Sequence, residues 1–281
     1  MFAAREVVLV ASREIRRNLG SRKGIAMFVL FLLGGALPVM IQLFFTRLQT
    51  EAGAPPPGVD DPTRAMRKVL LQRIYDEPTA DYLIECPTVL LFLLRGTLFF
   101  LPLLILLIGY DQLAGEVQHR SLRYLAGRAY RGSIVLGKTL GTWVIIACMA
   151  LVLHGVVWVA TILQGDAQPL AVLSWGGRLW FFCIAQAFAY VGLTGLVSSL
   201  FRTPAVALFA GAGLLLVLGL ANSILGYFES TRLLTWAFPG TYETHLVSPD
   251  PLLVARSIGL FVLWGSACAA LASFILQKRD I

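Results

Sequence analysis

Residues 132–139 have the spacing of a phosphate-binding loop, G-x-x-x-x-G-K-[ST], which ends in Gly137, Lys138 and Thr139. Such a loop binds phosphate because it joins a buried strand to a helix and turns its backbone N–H groups toward the anion. Here the preceding residues 127–131 do not resemble a strand, and an apolar helical run follows directly. No later apolar strand ends in an acidic residue that could bind magnesium. We therefore expect no nucleotide to bind at this segment.

Histidine and cysteine, which often do chemistry in proteins, are too scattered here to form a site. The histidines fall in two polar segments and one apolar run: His119, His245 and His154. One cysteine, Cys86, lies in a polar segment, and three lie in apolar runs: Cys148, Cys183 and Cys268. No disulfide is expected, because the polar segments hold no cysteine pair. The sequence has no C-x-x-C or Cys/His ligand spacing, so we expect no metal site.

Long apolar runs dominate the chain. Charged residues make up 14% of the 281 residues, whereas a soluble domain has about 25%. As helices, the apolar runs are long enough to cross roughly 30 Å of hydrocarbon while pairing every backbone group internally. The predicted fold class is an all-α integral membrane protein with a single domain over residues 1–281. Its six transmembrane helices are expected at residues 24–45, 88–110, 134–163, 179–201, 205–227 and 252–276.

Four polar side chains interrupt the predicted spans. Arg95 lies about six residues into the second span, roughly 9 Å from its end at about 1.5 Å per residue. We favour a side chain that snorkels to the membrane surface over one that lines a path through the membrane, and Arg256 presents the same two alternatives. His154 and Asn222 lie deeper. For both, a hydrogen bond between packed helices is favoured over a role as a substrate ligand.

Residues 1–23 are expected to form an amphipathic helix that lies flat at the membrane interface, in contact with lipid. Its apolar residues recur at steps of three and four: Ala4, Val8, Ala11, Ile15 and Leu19. Its basic residues fall on another side of the helix: Arg5, Arg13 and Arg16. This pattern is typical of helices that bind membrane surfaces. The alternative is a short soluble helix.

The distribution of Lys and Arg predicts the orientation in the membrane. The side that carries both termini and the segment 111–133 has twice as many basic residues outside the spans as the opposite side. Because basic segments stay in the cytoplasm, both termini are expected to be cytoplasmic. The segment 46–87, in which seven acidic residues outnumber five basic ones, would be extracytoplasmic. Membrane topology thus accounts for the net charge of +7, and no nucleic-acid binding is expected.

The segment after the second predicted span carries a recognisable pattern. Its residues are, in order, Asp111, Gly115, Glu116, Leu122, Leu125, Arg131, Gly137 and Lys138. This pattern resembles the cytoplasmic loop of ABC-2 type transporter permeases, the membrane subunits of one class of ATP-binding-cassette exporters. It departs from theirs at Arg120-Ser121, where Gly-Thr is usual, and in having no proline before Arg131. The layout of the whole chain is also similar to this family, and its compact form is most similar to permeases of the NosY type.

The resemblance implies a mechanical role rather than a catalytic one. In such permeases the loop, here residues 111–133, docks on a separate cytosolic ATPase that binds ATP and magnesium. The chain itself would then need no cofactor and would not be an enzyme. The residues expected to couple to the ATPase are Asp111, Gly115, Glu116, Arg120, Arg123, Arg131 and Lys138. The family works with two membrane subunits and two ATPases, which implies a homodimer that exports a substrate across the bacterial cytoplasmic membrane.

The segment 228–251 is apolar but too short to cross a bilayer. In the family this region often re-enters the membrane as short helices and could form an outer gate. The alternative is an interfacial hairpin anchored by Trp236. The residues that we regard as candidates for a transport path or gate are Arg95, His154, Asn222, Trp236 and Phe238.

Two other functions compete with solute export. The first is a permease-like subunit that transmits force to a periplasmic partner, for which the large segment 46–87 would provide a contact surface. The second is a membrane-embedded enzyme that modifies lipids. Such an enzyme needs convergent His, Asp or Ser groups. The three histidines lie too far apart in the sequence layout to meet easily, which disfavours the enzyme.

Overall fold

A computed structural model of the chain describes residues 4–51, 62–127, 129–165, 167–228 and 234–279. Within these ranges it shows twelve α-helices and no strand. The six long helices are α2 (Arg22–Glu51), α5 (Thr88–Gly109), α8 (Arg131–Gln164), α9 (Pro169–Leu200), α10 (Pro204–Tyr227) and α12 (Pro251–Lys278). The short helices are α1 (Ala4–Leu19), α3 (Pro62–Gln72), α4 (Glu77–Ile84), α6 (Ala114–Gln118), α7 (Leu122–Ala126) and α11 (Pro239–Leu246).

The six long helices confirm the predicted membrane fold. Each is long and apolar enough to cross a bilayer. The start of the fourth span was predicted too late, because α9 begins at Pro169 rather than at residue 179. The predicted span starts after Arg178 because a charged residue interrupts the apolar run there. In the structure its guanidinium donates to the Tyr82 hydroxyl and, at 3.0 Å, to the Ser248 carbonyl, so α9 continues past a paired charge.

Proline and glycine mark the ends of several helices. Proline is the first residue of five described helices: Pro62, Pro169, Pro204, Pro239 and Pro251. At this position its missing N–H costs no hydrogen bond and its fixed φ suits the helix. Helix α8 ends at Gly165, whose φ of 75° is the left-handed conformation that closes many helices.

Helix α9 lies at the centre of the bundle and packs against α5, α8 and α12. It approaches α12 closely at a pair of glycines. A Cβ atom at Gly192 would lie 2.4 Å from the carbonyl oxygen of Gly265. Only the absence of side chains at this crossing lets the two backbones meet, as small residues commonly do between membrane helices.

Helix α1 packs along the first half of α8. A Cβ atom at Gly137 would lie 2.8 Å from the carbonyl oxygen of Val7, so the glycine allows a close approach. The buried residues of α1 are Val7, Glu14 and Asn18. Of the predicted apolar stripe, Val8 and Leu19 are exposed. A polar edge of α1 therefore faces the bundle and part of its apolar stripe is left on the surface.

The opposite end of the bundle carries α3, α4 and α11. The predicted polar segment 46–87 is largely helical in its described part, since α2 extends to Glu51 and is followed by α3 and α4. Arg67 of α3 donates to the carbonyls of Leu83, at 3.0 Å, and Cys86, just before α5. Lys68 pairs with Asp81 of α4 at 2.6 Å. These contacts fix α3 and α4 beside the start of α5.

Candidate functional site

The site begins where α5 ends and the chain turns into α6. Ser198 of α9 organises this turn, because its hydroxyl accepts hydrogen bonds from the backbone N–H groups of Leu113 and Ala114, both at 3.0 Å. The same hydroxyl donates to the Tyr110 carbonyl at 2.8 Å. One side chain thus satisfies three backbone groups at the helix end, where the intrahelical hydrogen bonds run out. This arrangement directs Glu116 of α6 toward α8.

Four charged side chains from three helices meet at this point. Lys138 of α8 pairs with Glu116 at 2.8 Å and with Glu14 of α1 at 3.0 Å. Arg17 of α1 pairs with Glu14 at 2.6 Å and lies 3.5 Å from Glu116. We call Glu14, Arg17, Glu116 and Lys138 the charged joint. It holds two acids and two bases, so its net charge is zero.

Three of the four members of the charged joint are shielded from solvent, whereas the Arg17 side chain is 40% exposed. Lys138 is 2% exposed, Glu14 3% and Glu116 6%. Asn18 supports Glu14 by donating to its carboxylate at 3.0 Å. Burial makes each charge depend on the others, because a lone buried charge costs several kcal/mol. Helices α1, α6 and α8 are therefore held together as one unit at this end of the bundle.

Two further contacts extend this unit to α2 and α12. Lys23 of α2 pairs with Asp111 at 2.7 Å and donates to the Ile108 carbonyl at 3.1 Å, which ties α2 to the end of α5. Arg131, the first residue of α8, donates to the carbonyls of Leu276, Gln277 and Arg279. A cation is well placed there, because the last carbonyls of α12 lack intrahelical donors.

The predicted coupling residues separate into an internal set and a surface set. Asp111, Glu116, Arg131 and Lys138 all bind groups within the chain. By contrast Arg120 is exposed in the turn before α7, at a φ of 57°, and the side chain of Arg123 lies outside the described residues. Tyr124, which the prediction did not include, is 82% exposed. At Gly115 a Cβ atom would have ordinary contacts only, so no backbone approach requires the glycine.

The phosphate-loop pattern at residues 132–139 lies within the first turns of α8. Gly137 contacts α1 there, and Lys138 belongs to the charged joint. These residues have regular helical backbone rather than the open loop that surrounds a phosphate. The residues that match the phosphate-loop pattern therefore hold α8 against its neighbouring helices.

The five candidate path and gate residues do not form a single cluster. His154 is fully buried, with Nε2 3.3 Å from the Thr97 hydroxyl, so it joins α8 to α5. Arg95 lies with its guanidinium 4.7 Å from the ring centroid of Tyr75, which precedes α4. The other three lie around α11: Asn222, Trp236 and Phe238.

The residues around α11 make specific contacts. Asn222 of α10 accepts a hydrogen bond from Thr241 at 2.8 Å. Trp236 stacks on His245 with ring centroids 5.6 Å apart, and the Arg256 guanidinium lies 4.1 Å from its ring. Phe238 is the N-cap residue of α11. Arg256, for which the sequence left two alternatives, is thus paired with an aromatic face.

Two residues of the charged joint and Lys23 of α2 are not among the site residues predicted from the sequence. Glu14, Arg17 and Lys23 were read as parts of a basic amphipathic segment. The available signal was Glu14, an acid that breaks the segregation of polar and apolar residues on α1. The glycines of α8 that face α1, Gly137 and Gly141, would have been the second signal.

Two comparisons with known proteins concern the family of this chain. The family model described as ABC-2 family transporter protein matches residues 8–276, nearly the whole chain. The chain is also similar to "Probable ABC transporter permease protein NosY" of Stutzerimonas stutzeri, with 35% identity over 130 residues. That alignment covers 43% of this chain and 45% of the relative, so the chain spans about half of the relative's length. The match over residues 8–276 shows that the chain belongs to the ABC-2 transporter family.

Proposed function

We propose that this chain couples ATP hydrolysis by a separate cytosolic ATPase to the export of a substrate across the bacterial cytoplasmic membrane. The observation that carries the proposal is the charged joint. It links α6, in the segment that resembles the ATPase-docking loop, to α1 and to the membrane helix α8 through buried ion pairs.

The docking surface is formed by the exposed part of the turn and α7. His119, Arg120 and Tyr124 are all exposed there. Tyrosine and arginine are among the residue types enriched at protein interfaces. The internal residues then have a different task. A displacement of α6 by the ATPase passes to α8 through Glu116 and Lys138, because separating buried opposite charges is costly.

A homodimer with two ATPases fits the surface of α10. The only buried residues of this helix are Ala207 and Gly211, and several of its other apolar side chains are exposed. Phe209 and Leu216 are 76% and 61% exposed. We infer that a second copy covers part of this surface and that the translocation path lies between the copies, where the ATPases could tilt one half against the other.

The proposal is tested by co-purification of the full chain with its ATPase in mild detergent. Tyr124→Ala is expected to weaken the complex about tenfold, because tyrosine is enriched among the few interface residues whose loss is costly. The control is Tyr227→Ala, because Tyr227 is 85% exposed at the end of α10 away from α7. A chain that purifies without any ATPase, or a Tyr124→Ala variant with unchanged affinity and ATP turnover, would contradict the proposal.

A second candidate function is force transmission to a periplasmic partner. The observation in its favour is an apolar surface on α3 and the turn after it, where Val69, Leu70 and Ile74 are each about half exposed. Helix α3 is fixed to the start of α5 by Arg67, so a pull on one reaches the other. Leu70→Glu separates the two functions. It should abolish an effect on a partner and leave substrate export intact, whereas lost export with normal ATPase binding would argue against force transmission.

A further inference from the structure

Helix α11 carries a carboxylate into the bundle. Glu243 accepts a hydrogen bond from the Gln186 side-chain amide at 2.6 Å and another from the Tyr190 hydroxyl, both on α9. Gln186 is 0% exposed and lies near the middle of α9. At a similar depth on α12, the Trp264 indole donates to the Ala237 carbonyl at 3.1 Å. The segment before and within α11 therefore reaches to about half the length of two membrane helices.

The hydrogen bonds around Glu243 leave one acceptor unused. The Gln186 amide nitrogen also donates weakly to the Leu98 carbonyl, at 3.4 Å. The Gln186 side-chain oxygen is buried and has no partner in the described part of the chain. A buried polar atom without a partner costs free energy and points to a group that is not accounted for. A half-turn of the amide would bring this oxygen to Glu243, where it can accept from a protonated carboxyl, in exchange for the bonds that the amide nitrogen now donates to Glu243 and Leu98.

We propose that Glu243, Gln186 and Tyr190 form a proton-binding site that fastens α11 to α9. With the proton bound, the carboxyl is neutral, donates to the amide oxygen and accepts from Tyr190. When the proton leaves to water, a negative charge remains in a place that is only partly open to solvent. The ionised form then favours release of α11 toward solvent, where the carboxylate can be hydrated.

The ionisable groups around Glu243 include one cation that acts on its carboxylate. Arg95 of α5 is the cation whose field acts on the carboxylate, but no ion pair joins the two in the described residues. Arg95 is directed to the ring of Tyr75 instead. On α12, Arg256 lies over the ring of Trp236, and His245 of α11 stacks on that ring from its own helix. The other ionisable groups that interact with the Glu243 carboxylate are Tyr75, before α4, and Cys183 and Tyr190 on α9.

The pKa of the Glu243 carboxyl group determines how the contact between α11 and α9 depends on pH. Burial raises the pKa of Glu243 from 4.5 to about 7, because desolvation outweighs the opposing effects of Gln186, Arg95 and Tyr190. The fastened state thus binds the proton more tightly than a released, hydrated α11. Its extra stability is full below about pH 4.5 and is lost as the pH rises through about 7. Linkage limits the change in the ratio of released to fastened protein to about a few hundred-fold.

Infrared spectroscopy of the full chain in lipid nanodiscs tests the proton itself. Spectra taken between about pH 5 and pH 9 should show the carbonyl band of a buried protonated carboxyl that disappears near neutral pH. The band should be absent from Glu243→Gln and present in Glu77→Gln, the control, because Glu77 is exposed on α4. A wild-type spectrum without this band at about pH 5, or a band that survives in Glu243→Gln, would overturn the proposal.

Hydrogen–deuterium exchange tests the fastening. After correction for the intrinsic effect of pH on amide exchange, residues 239–246 of the wild type should exchange at least about tenfold faster at pH 9 than at pH 5. In Glu243→Gln, which cannot ionise, these amides should stay protected at both values. Equal protection of the wild type at both values would refute the fastening even if the carboxyl titrates. Neither experiment needs an ATPase or a substrate, so their outcome is independent of the transport function.

Discussion

Lys138 shows how the meaning of a residue depends on its neighbours. In the sequence it ends a phosphate-loop pattern, and in the family pattern it belongs to the ATPase-coupling set. In the structure it is almost fully buried and lies within 3.0 Å of two carboxylates from other helices. Its charge is therefore paired within the chain. We infer that it transmits a displacement of α6 rather than touching the ATPase.

The charged joint predicts a non-additive effect of substitution. Glu116→Gln leaves two bases with one acid, and Lys138→Met leaves two acids with one base, so each should destabilise the protein by about 3 kcal/mol or more. The double variant keeps Glu14 with Arg17, a balanced pair at 2.6 Å. We therefore expect it to recover part of the loss in a double-mutant cycle of thermal stability measured in detergent.

Two results would bear on this prediction. If the two single losses simply add, the residues do not interact and the joint does not act as a unit.

The coupling role is tested by a separate measurement, the ATP turnover of the complex. Glu116→Ala should insert in the membrane and yet lose ATPase attachment or substrate-stimulated hydrolysis. Full stimulated turnover in this variant would contradict the coupling assignment.

At the scale of elements, α1 is positioned by its contact with α8 as well as by its own composition. The basic, amphipathic pattern predicted a helix at a lipid surface, and a helix is present. The structure adds that Val7, Glu14 and Asn18 face inward, against Gly137 and Gly141 of α8. Since Val8 and Leu19 are exposed, the helix has one face for the bundle and an apolar surface that suits a membrane interface.

This packing predicts a difference between two glycines of the same helix. A Cβ atom at Gly137 would lie 2.7 Å from Val10 Cβ and 2.8 Å from the Val7 carbonyl oxygen. Gly137→Ala should therefore displace α1 and cost about 1–3 kcal/mol. At Gly155 a Cβ atom would meet nothing within 4 Å, so Gly155→Ala is the control and should be neutral or slightly stabilising.

Limited proteolysis of α1 and thermal unfolding in detergent measure this difference. Faster cleavage at the arginines of α1 in Gly137→Ala than in Gly155→Ala is the expected result. Equal cleavage and equal stability of the two variants would mean that α1 does not depend on this contact.

At the scale of the whole molecule, the bundle is unevenly packed. Helix α9 is surrounded by α5, α8 and α12, whereas α10 has only two buried residues. An apolar helix with so little packing is stable in lipid, but a second copy would also cover it. Small residues at its two buried positions, Ala207 and Gly211, show that α10 already uses close contact on one side.

The homodimer is tested by disulfide cross-linking in membranes. Leu216→Cys, 61% exposed on α10, should form a dimer on mild oxidation. Val156→Cys, 62% exposed on α8, is the control and should remain monomeric. The native exposed Cys148 is replaced by serine in both variants. Equal cross-linking from α8 and α10 would indicate random collisions and remove the support for an α10 interface.

Length and hydropathy alone determined the membrane fold of this protein. Each span must satisfy its backbone within itself, so the six helices follow from local composition and need no knowledge of their neighbours. The order of Asp111, Glu116, Arg131 and Lys138 was enough to indicate the family, because that pattern is also local in the chain.

The tertiary structure alone decided which charges meet. Glu14 and Lys138 are 124 residues apart in the chain, and Gln186 and Glu243 are 57 apart. Their pairing depends on how the helices cross, which in turn depends on small residues such as Gly137 and on the depth of α11. A carboxylate looks the same in a sequence whether water or protein surrounds it. Only packing shows that Glu14 and Glu116 are removed from water and that Glu243 is partly so, and burial is what makes each of them depend on a partner or a proton.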